Sequence, residues 1–226
     1  LGVKTPQFMV IRDIKQSLND CPLPAVVKPL YEGSSMGIRL GSKVDTPEEL
    51  EKKVRQIIQA YKEPVLVEKF LPGSEFTVGV LGDGRGLELI GVMEIVPKGM
   101  KVSEFLYSIE VKRNWRQMVE YVVNPHWFSG RIKDRIKSDV LKIAETLGIV
   151  DFARFDFRFD ENGEPNFLEV NPLPGLNPIQ SDFPMLARAV GINYDELIIR
   201  IIESARKRYV FENSDSIQQG LKKSVG

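Results

Sequence analysis

The sequence predicts an α+β fold, and three observations carry that prediction. Runs of period two and runs of period 3.6 both recur along the chain, so strands and helices are both present. They do not alternate with the regularity of a doubly wound parallel sheet. A long hairpin pattern over 154–171 sets aromatic residues on one face and charges on the other.

In chain order, "AVVKPL" (25–30) reads as a strand and runs into the glycine-serine loop "EGSSMG". A helix follows over "TPEELEKKVRQIIQAYKEP", with Thr46 as N-cap, Pro47 in the first turn and Glu49 completing a capping box. Its apolar stripe is Leu50, Val54, Ile57, Ile58 and Tyr61. Strands are expected at 65–70, 76–81 and 87–96, and Pro72-Gly73-Ser74 marks a boundary near 72–76. The stretch 98–130 is long and irregular, as lids and binding loops are. A second helix covers 131–147, with Ile132, Ile136, Val140, Ile143 and Leu147 inward and Gly148 as its stop. Strands return at 153–159 and 166–171, and a helical turn is expected near 183–190. A third helix over 194–208 carries Leu197, Ile198, Ile201, Ile202 and Ala205. The polar, aperiodic end, "ENSDSIQQGLKKSVG", reads as a frayed tail.

The 226 residues suffice for one large domain or two small ones. Lys+Arg and Asp+Glu both number 31, which gives no basis for a nucleic-acid or acidic-membrane surface. No apolar run reaches the roughly 18 residues of a membrane span, and no signal peptide is read at the start. Cys21 is the single cysteine, so no internal disulfide forms and a reducing cytosol fits. His126 is the single histidine, which excludes multi-histidine zinc sites and leaves a Ser-His-Asp triad almost nothing to draw on.

Chemistry concentrates in three places. In the hairpin, Ala153, Phe155, Phe157 and Phe159 alternate with Arg154, Asp156 and Arg158, and Asn162-Gly163 suits a two-residue type I′ turn. That turn sets Asp156 opposite Glu169 and Arg154 opposite Asn171. Opposed carboxylates repel. A cation between them removes the repulsion, and an Asp, a Glu and an Asn carbonyl are hard ligands suited to Mg²⁺ or Mn²⁺. A hydrated acidic surface is the other reading. In the second place, Lys28 precedes Gly33, Ser34, Ser35 and Gly37, a cradle for an anion or an ordinary hairpin turn. It is neither a Walker A loop nor GxGxxG. In the third, "VLVEKFLPGSEF", Glu68 interrupts an apolar strand and Glu75 follows. Each is satisfied by donors from a ligand or by a neighbouring lysine.

In this order, Lys28 with "EGSSMG", "VEKFLPGSEFTV", "ARFDF" and "FLEVNPLPGLNP" resemble the ATP-grasp enzymes, and among them the D-alanine–D-alanine ligase family. The resemblance covers residue 1 to about 208. It implies two α+β subdomains clasping a nucleotide: 1–74 a small central subdomain with a phosphate flap, 75–211 a C-terminal subdomain with metal hairpin and lid, then a polar tail at 212–226. It implies that Lys28, with Glu32, Gly33, Ser34 and Ser35, lies at the ATP phosphates, Ser34 also near the substrate. The Lys69–Phe70–Leu71 backbone reads the adenine edge, Glu68 accepts from its amine, Glu75 takes the ribose hydroxyls and Leu168 joins the ATP site. Asp156, Glu169 and Asn171 hold Mg²⁺, with Glu169 bridging two ions. Arg154 and the Gly175 N–H meet the oxyanion, and Lys112 belongs to the lid.

The implied activity is ATP-dependent joining of two amino acids through an acyl phosphate, in cytoplasmic peptidoglycan synthesis. The family's amino-terminal domain and first ATP lysine are expected outside this chain, which then reads as a fragment that binds ATP poorly and is inactive alone. Homodimers, common in the family, are expected to form through that domain. Three departures cluster near the substrate: Arg113 in place of an aromatic, Pro172 after Asn171, and Gln180 where a serine is usual. They imply altered amino-acid choice. A nucleotide-binding module that no longer ligates is the alternative.

Overall fold

The computed structural model describes residues 1–32 and 38–223. The predicted phosphate-loop residues Gly33, Ser34, Ser35 and Gly37 lie outside the described residues.

A first, four-stranded antiparallel sheet holds β1 (Phe8–Ile11), β2 (Ala25–Pro29), β3 (Lys43–Val44) and β4 (Val65–Lys69), in the order β1-β4-β2-β3. One face packs on α1 (Pro47–Tyr61), burying Ala25, Val27, Val65 and Val67 against Leu50, Val54 and Ile57. Strand alternation therefore turns Val26, Lys28, Leu66 and Glu68 to the opposite face. The Thr46 hydroxyl accepts the Glu49 N–H at 3.3 Å, as an N-cap does. The Glu49 carboxylate reaches one residue further back than a capping box requires and accepts the Asp45 N–H at 2.8 Å. Tyr61, expected on the apolar stripe, is exposed.

A second antiparallel sheet holds β5 (Glu75–Gly82), β6 (Leu87–Pro97), β7 (Val119–Val123), β8 (Phe152–Phe159) and β9 (Pro165–Asn171), in the order β7-β6-β5-β8-β9. Between β6 and β7 a strap over 98–108 leads into two short helices, α2 (Ile109–Arg113) and α3 (Trp115–Met118). α4 (Gly130–Leu147) covers one face, with Ile136, Val140 and Ile143 packed on Phe76, Phe155 and Phe157. Leu147, expected inward, sits past the last buried turn and is exposed. α5 (Asp182–Ala189) and α6 (Tyr194–Lys223) complete the unit, with Phe183 and Leu197 packed on Leu81. α6 continues where a frayed tail was expected; no proline interrupts it. β1, β3, β7, α2 and α3 have no counterpart among the predicted elements.

The hairpin keeps the predicted pairing at its open end by a different route. Arg154 pairs with Asn171 and Asp156 with Glu169, but Phe157 pairs with Phe167. The turn is not the two-residue one expected. The Asp160 and Glu164 backbones close a loop of Glu161, Asn162 and Gly163, with Gly163 at φ +73° supplying the left-handed step. One extra residue in β9, Leu168, then forms a bulge. The two one-residue offsets cancel.

The linker between the sheets is fixed by close approach. An added Cβ at Gly73 would lie 2.6 Å from the Phe159 carbonyl oxygen. The Gly73 N–H donates to that same carbonyl at 3.0 Å.

Candidate functional site

A cavity opens between the two sheets. The first sheet contributes Val26, Lys28, Glu68 and Lys69, and the linker contributes Phe70 and Leu71. The second contributes Glu75, Asp156, Arg158, Leu168 and Glu169. Leu106, Tyr107 and Lys112, from the strap and α2, close the side. The bulge at Leu168 is what turns Leu168 and Glu169 toward one space.

On the first wall the Lys28 ammonium meets the Glu68 carboxylate at 2.6 Å, both side chains largely buried. Glu68 therefore finds its partner on the neighbouring strand, and not in Lys69, whose ammonium turns away to Glu161 at 2.8 Å. Burial opposes the charge of Lys28, but Glu68 outweighs it, with Glu169 and Glu75 adding, so its pKa stands above the ordinary value. The linker backbone is selective in what it leaves open. The Lys69 and Phe70 N–H groups donate to the Gln7 and Pro24 carbonyls, each at 2.8 Å. Among the described residues the buried Leu71 N–H has no partner.

Behind Asp156 of the second wall, Arg154 donates both edges of its guanidinium. Nε and one terminal nitrogen grip Asp156 at 2.9 Å each, and the other reaches Asp182 at 3.1 Å. Burial raises the Asp156 carboxyl, but Arg154 outweighs it and holds the group below the ordinary carboxylate range. The Asn171 amide donates to Asp156 and Glu169 at 3.3 Å each, so three oxygen-bearing side chains converge. Turning that amide presents its carbonyl oxygen, and the set then fits a hard divalent cation. Among the described residues no cluster of three or more Asp, Glu, His or Cys is gathered for an ion; the hairpin supplies two acids and an amide.

Lys112 reaches the cavity with its ammonium 4.9 Å from the Tyr107 ring centre. Glu75 meets Arg158 at 3.2 Å. Glu32, Arg154, Asn171 and Gly175 are described but do not line the cavity, and among the described residues the Gly175 N–H has no partner. Arg158 and Asp182 were not singled out from sequence. Their partners lie 28 to 87 residues away, so no local pattern marks them.

A family model described as "D-ala D-ala ligase C-terminus" matches residues 2–203. The D-alanine–D-alanine ligase of Aquifex aeolicus is 35% identical over 204 residues, 89% of this chain and 64% of that protein. The enzyme of the same name from Nitrosomonas europaea is 32% identical over 208 residues, 89% of this chain and 62% of that protein. The chain thus spans under two thirds of the length of these relatives. A crystal structure of the Bacillus anthracis D-alanine–D-alanine ligase complexed with ATP superposes with a TM-score of 0.68 at 24% identity, covering 92% of this chain and 62% of that one. That likeness shows a shared fold.

Proposed function

The chain belongs to the D-ala D-ala ligase C-terminus family and has the ATP-grasp fold, and on that premise we propose that it carries the nucleotide and metal sites of an ATP-dependent carboxylate–amine ligase. The product is a D-Ala-D-Ala-type dipeptide, made through an acyl phosphate. One observation carries the reading: Lys28 on one wall of the cavity faces a wall bearing Asp156 and Glu169. The division into units falls at 74/75, with the cavity between them.

Each residue's role follows from what it has to offer. The partnerless Leu71 N–H suits a purine ring nitrogen. Glu68 accepts from the exocyclic amine and Glu75 from the ribose hydroxyls, while Leu168 packs on the base. The Lys28–Glu68 pair opens as ATP enters: the ammonium turns to the phosphates and the carboxylate to the amine. Mg²⁺ held by Asp156, Glu169 and Asn171 would neutralise phosphate charge, with further ligands from ATP. Arg154, held in place by Asp156 and Asp182, donates to the oxyanion formed as the amine adds, joined by the Gly175 N–H. Ser34 and Ser35 of the flap and Lys112 of the lid screen the acyl phosphate from water. Arg113, Pro172 and Gln180 adjust which amino acids are accepted. A cytosolic setting, peptidoglycan synthesis and a homodimer complete the reading. No described helix is long and apolar enough to cross a membrane.

ADP release by the full-length protein, followed with Mg²⁺, ATP and a panel of D- and L-amino acids, tests this. Stimulation by a D-amino acid, abolished in Glu169→Gln, is expected. A protein stimulated by none, whose ATP binding ignores Glu169→Gln, would be a non-ligating nucleotide module.

A further inference from the structure

Arg158 belongs to none of the roles above, yet it touches more of the cavity's frame than any residue that has one. It is almost wholly buried. Its Nε donates to the Leu71 carbonyl at 2.6 Å. One terminal nitrogen donates to the Phe105 carbonyl at 2.7 Å and the Val102 carbonyl at 3.2 Å, both in the strap. The other meets Glu75 at 3.2 Å. The guanidinium carbon lies over the Phe70 ring, 4.6 Å from its centre. The linker and the start of β5, which follow one another in the chain, and the separate strap all lie 53 to 87 residues from Arg158, and a guanidinium has enough donors, in a rigid fork, to hold all three.

We propose that Arg158 is a positioning residue that latches the strap to the linker and thereby sets the nucleoside end of the cavity, without acting on the phosphate end. By holding the Leu71 carbonyl it fixes the direction of the neighbouring Leu71 N–H. By holding Glu75 it fixes the acceptor proposed for the ribose. Lys28 and the Asp156–Glu169 pair have no bond to it among those described. The nucleoside half of the inference rests on the nucleotide reading of the cavity; the latch half does not.

Two variants separate the latch from simple packing. Arg158→Met keeps volume but leaves Glu75 without its charge partner, and it can fail to fold for that reason alone. Arg158→Lys keeps the charge and loses the fork, since one ammonium cannot span Leu71, Val102 and Phe105. For Arg158→Lys, calorimetry should show ATP binding weakened about ten-fold, as loss of charge-assisted hydrogen bonds does. Inorganic tripolyphosphate, which carries no nucleoside, should bind unchanged. Trypsin cleavage of the strap at the exposed Lys98 and Lys101, without nucleotide, should accelerate several-fold at temperatures well below the variant's own melting transition. Equal losses for ATP and tripolyphosphate would mean general loosening and overturn the proposal, as would strap cleavage at the wild-type rate. A wild-type protein that binds no ATP would sink the nucleotide reading instead, and the cleavage rates would still decide the latch.

Discussion

Arg154 and Arg158 project from the same face of β8, four residues apart, and are 8% and 3% exposed, yet their surroundings treat their charge in opposite ways. Arg154 sits between two carboxylates, Asp156 and Asp182. Burial opposes its charge, but those acids and Glu169 outweigh burial and hold its pKa above the ordinary value. Arg158 sits among three carbonyls and one carboxylate. There burial prevails over Glu75, and its pKa is lowered. The acids mirror the arginines: Asp156 beside Arg154 is depressed, while Glu75 beside Arg158 is raised to about 7. The difference teaches that burial alone does not define a site residue. Carboxylate partners keep Arg154 charged and fixed in orientation, as the oxyanion role proposed for it needs, and carbonyl partners fit Arg158 to the tether proposed above.

The largest expected effect breaks or keeps that contrast. Arg154→Lys should lower the turnover number about 10²–10³-fold, as loss of an oxyanion donor does, with the KM for ATP little moved. Arg158→Lys should do the reverse, raising the KM and sparing turnover. Steady-state kinetics on the two variants, side by side, decide it. The same split for both would dissolve the distinction between charge and tether.

Next in size is a dependence of stability on pH. Burial raises Glu75, Arg158 only partly offsets it, and Asp156 and Glu169 push it up again, from an ordinary 4.5 to about 7. Between those values the folded protein binds a proton that the unfolded chain does not. The stability this contributes is full below about pH 4.5 and is lost as pH rises through about 7. The size is on the order of 3 kcal/mol, from the free energy of a pKa difference. Glu75→Gln fixes the neutral form, so urea unfolding from pH 5 to 8 should lose that slope. A variant as steeply pH-dependent as the wild type would show that Arg158 keeps Glu75 ionised after all.

Sequence made some of this legible and hid the rest for physical reasons. The long helices and strands were readable because each carries its own periodicity. β3 has two residues and β1 four, too short for a period to declare itself. In the hairpin the facing of Asp156 and Glu169 was foreseen from a turn that does not form. A longer loop and the Leu168 bulge each shift the pairing by one residue, and no pattern reveals two errors that cancel. Lys28 and Glu68 were each marked as chemically odd, but their pairing across neighbouring strands needs the sheet order β4-β2. Arg158 looked like one charge in an alternating strand, because three carbonyls from distant segments leave no trace in residue type.

The smallest expected effect sharpens the same contrast from outside. Lys69 and Glu161 make an ion pair of 2.8 Å, shorter than the 3.2 Å of Glu75 and Arg158. Distance alone would rank it the stronger. It lies at the surface, with side chains 37% and 50% exposed, where water already solvates both charges and salt screens them. Both groups keep much of their hydration on folding, so little is regained when they meet. Glu161→Gln should therefore leave the urea midpoint and the ATP affinity unmoved at physiological salt, in the same assays that resolve Glu75→Gln. A midpoint shift as large as that of the buried pair would mean that contact length outranks burial here, and the separation drawn between the two arginines would lose its basis.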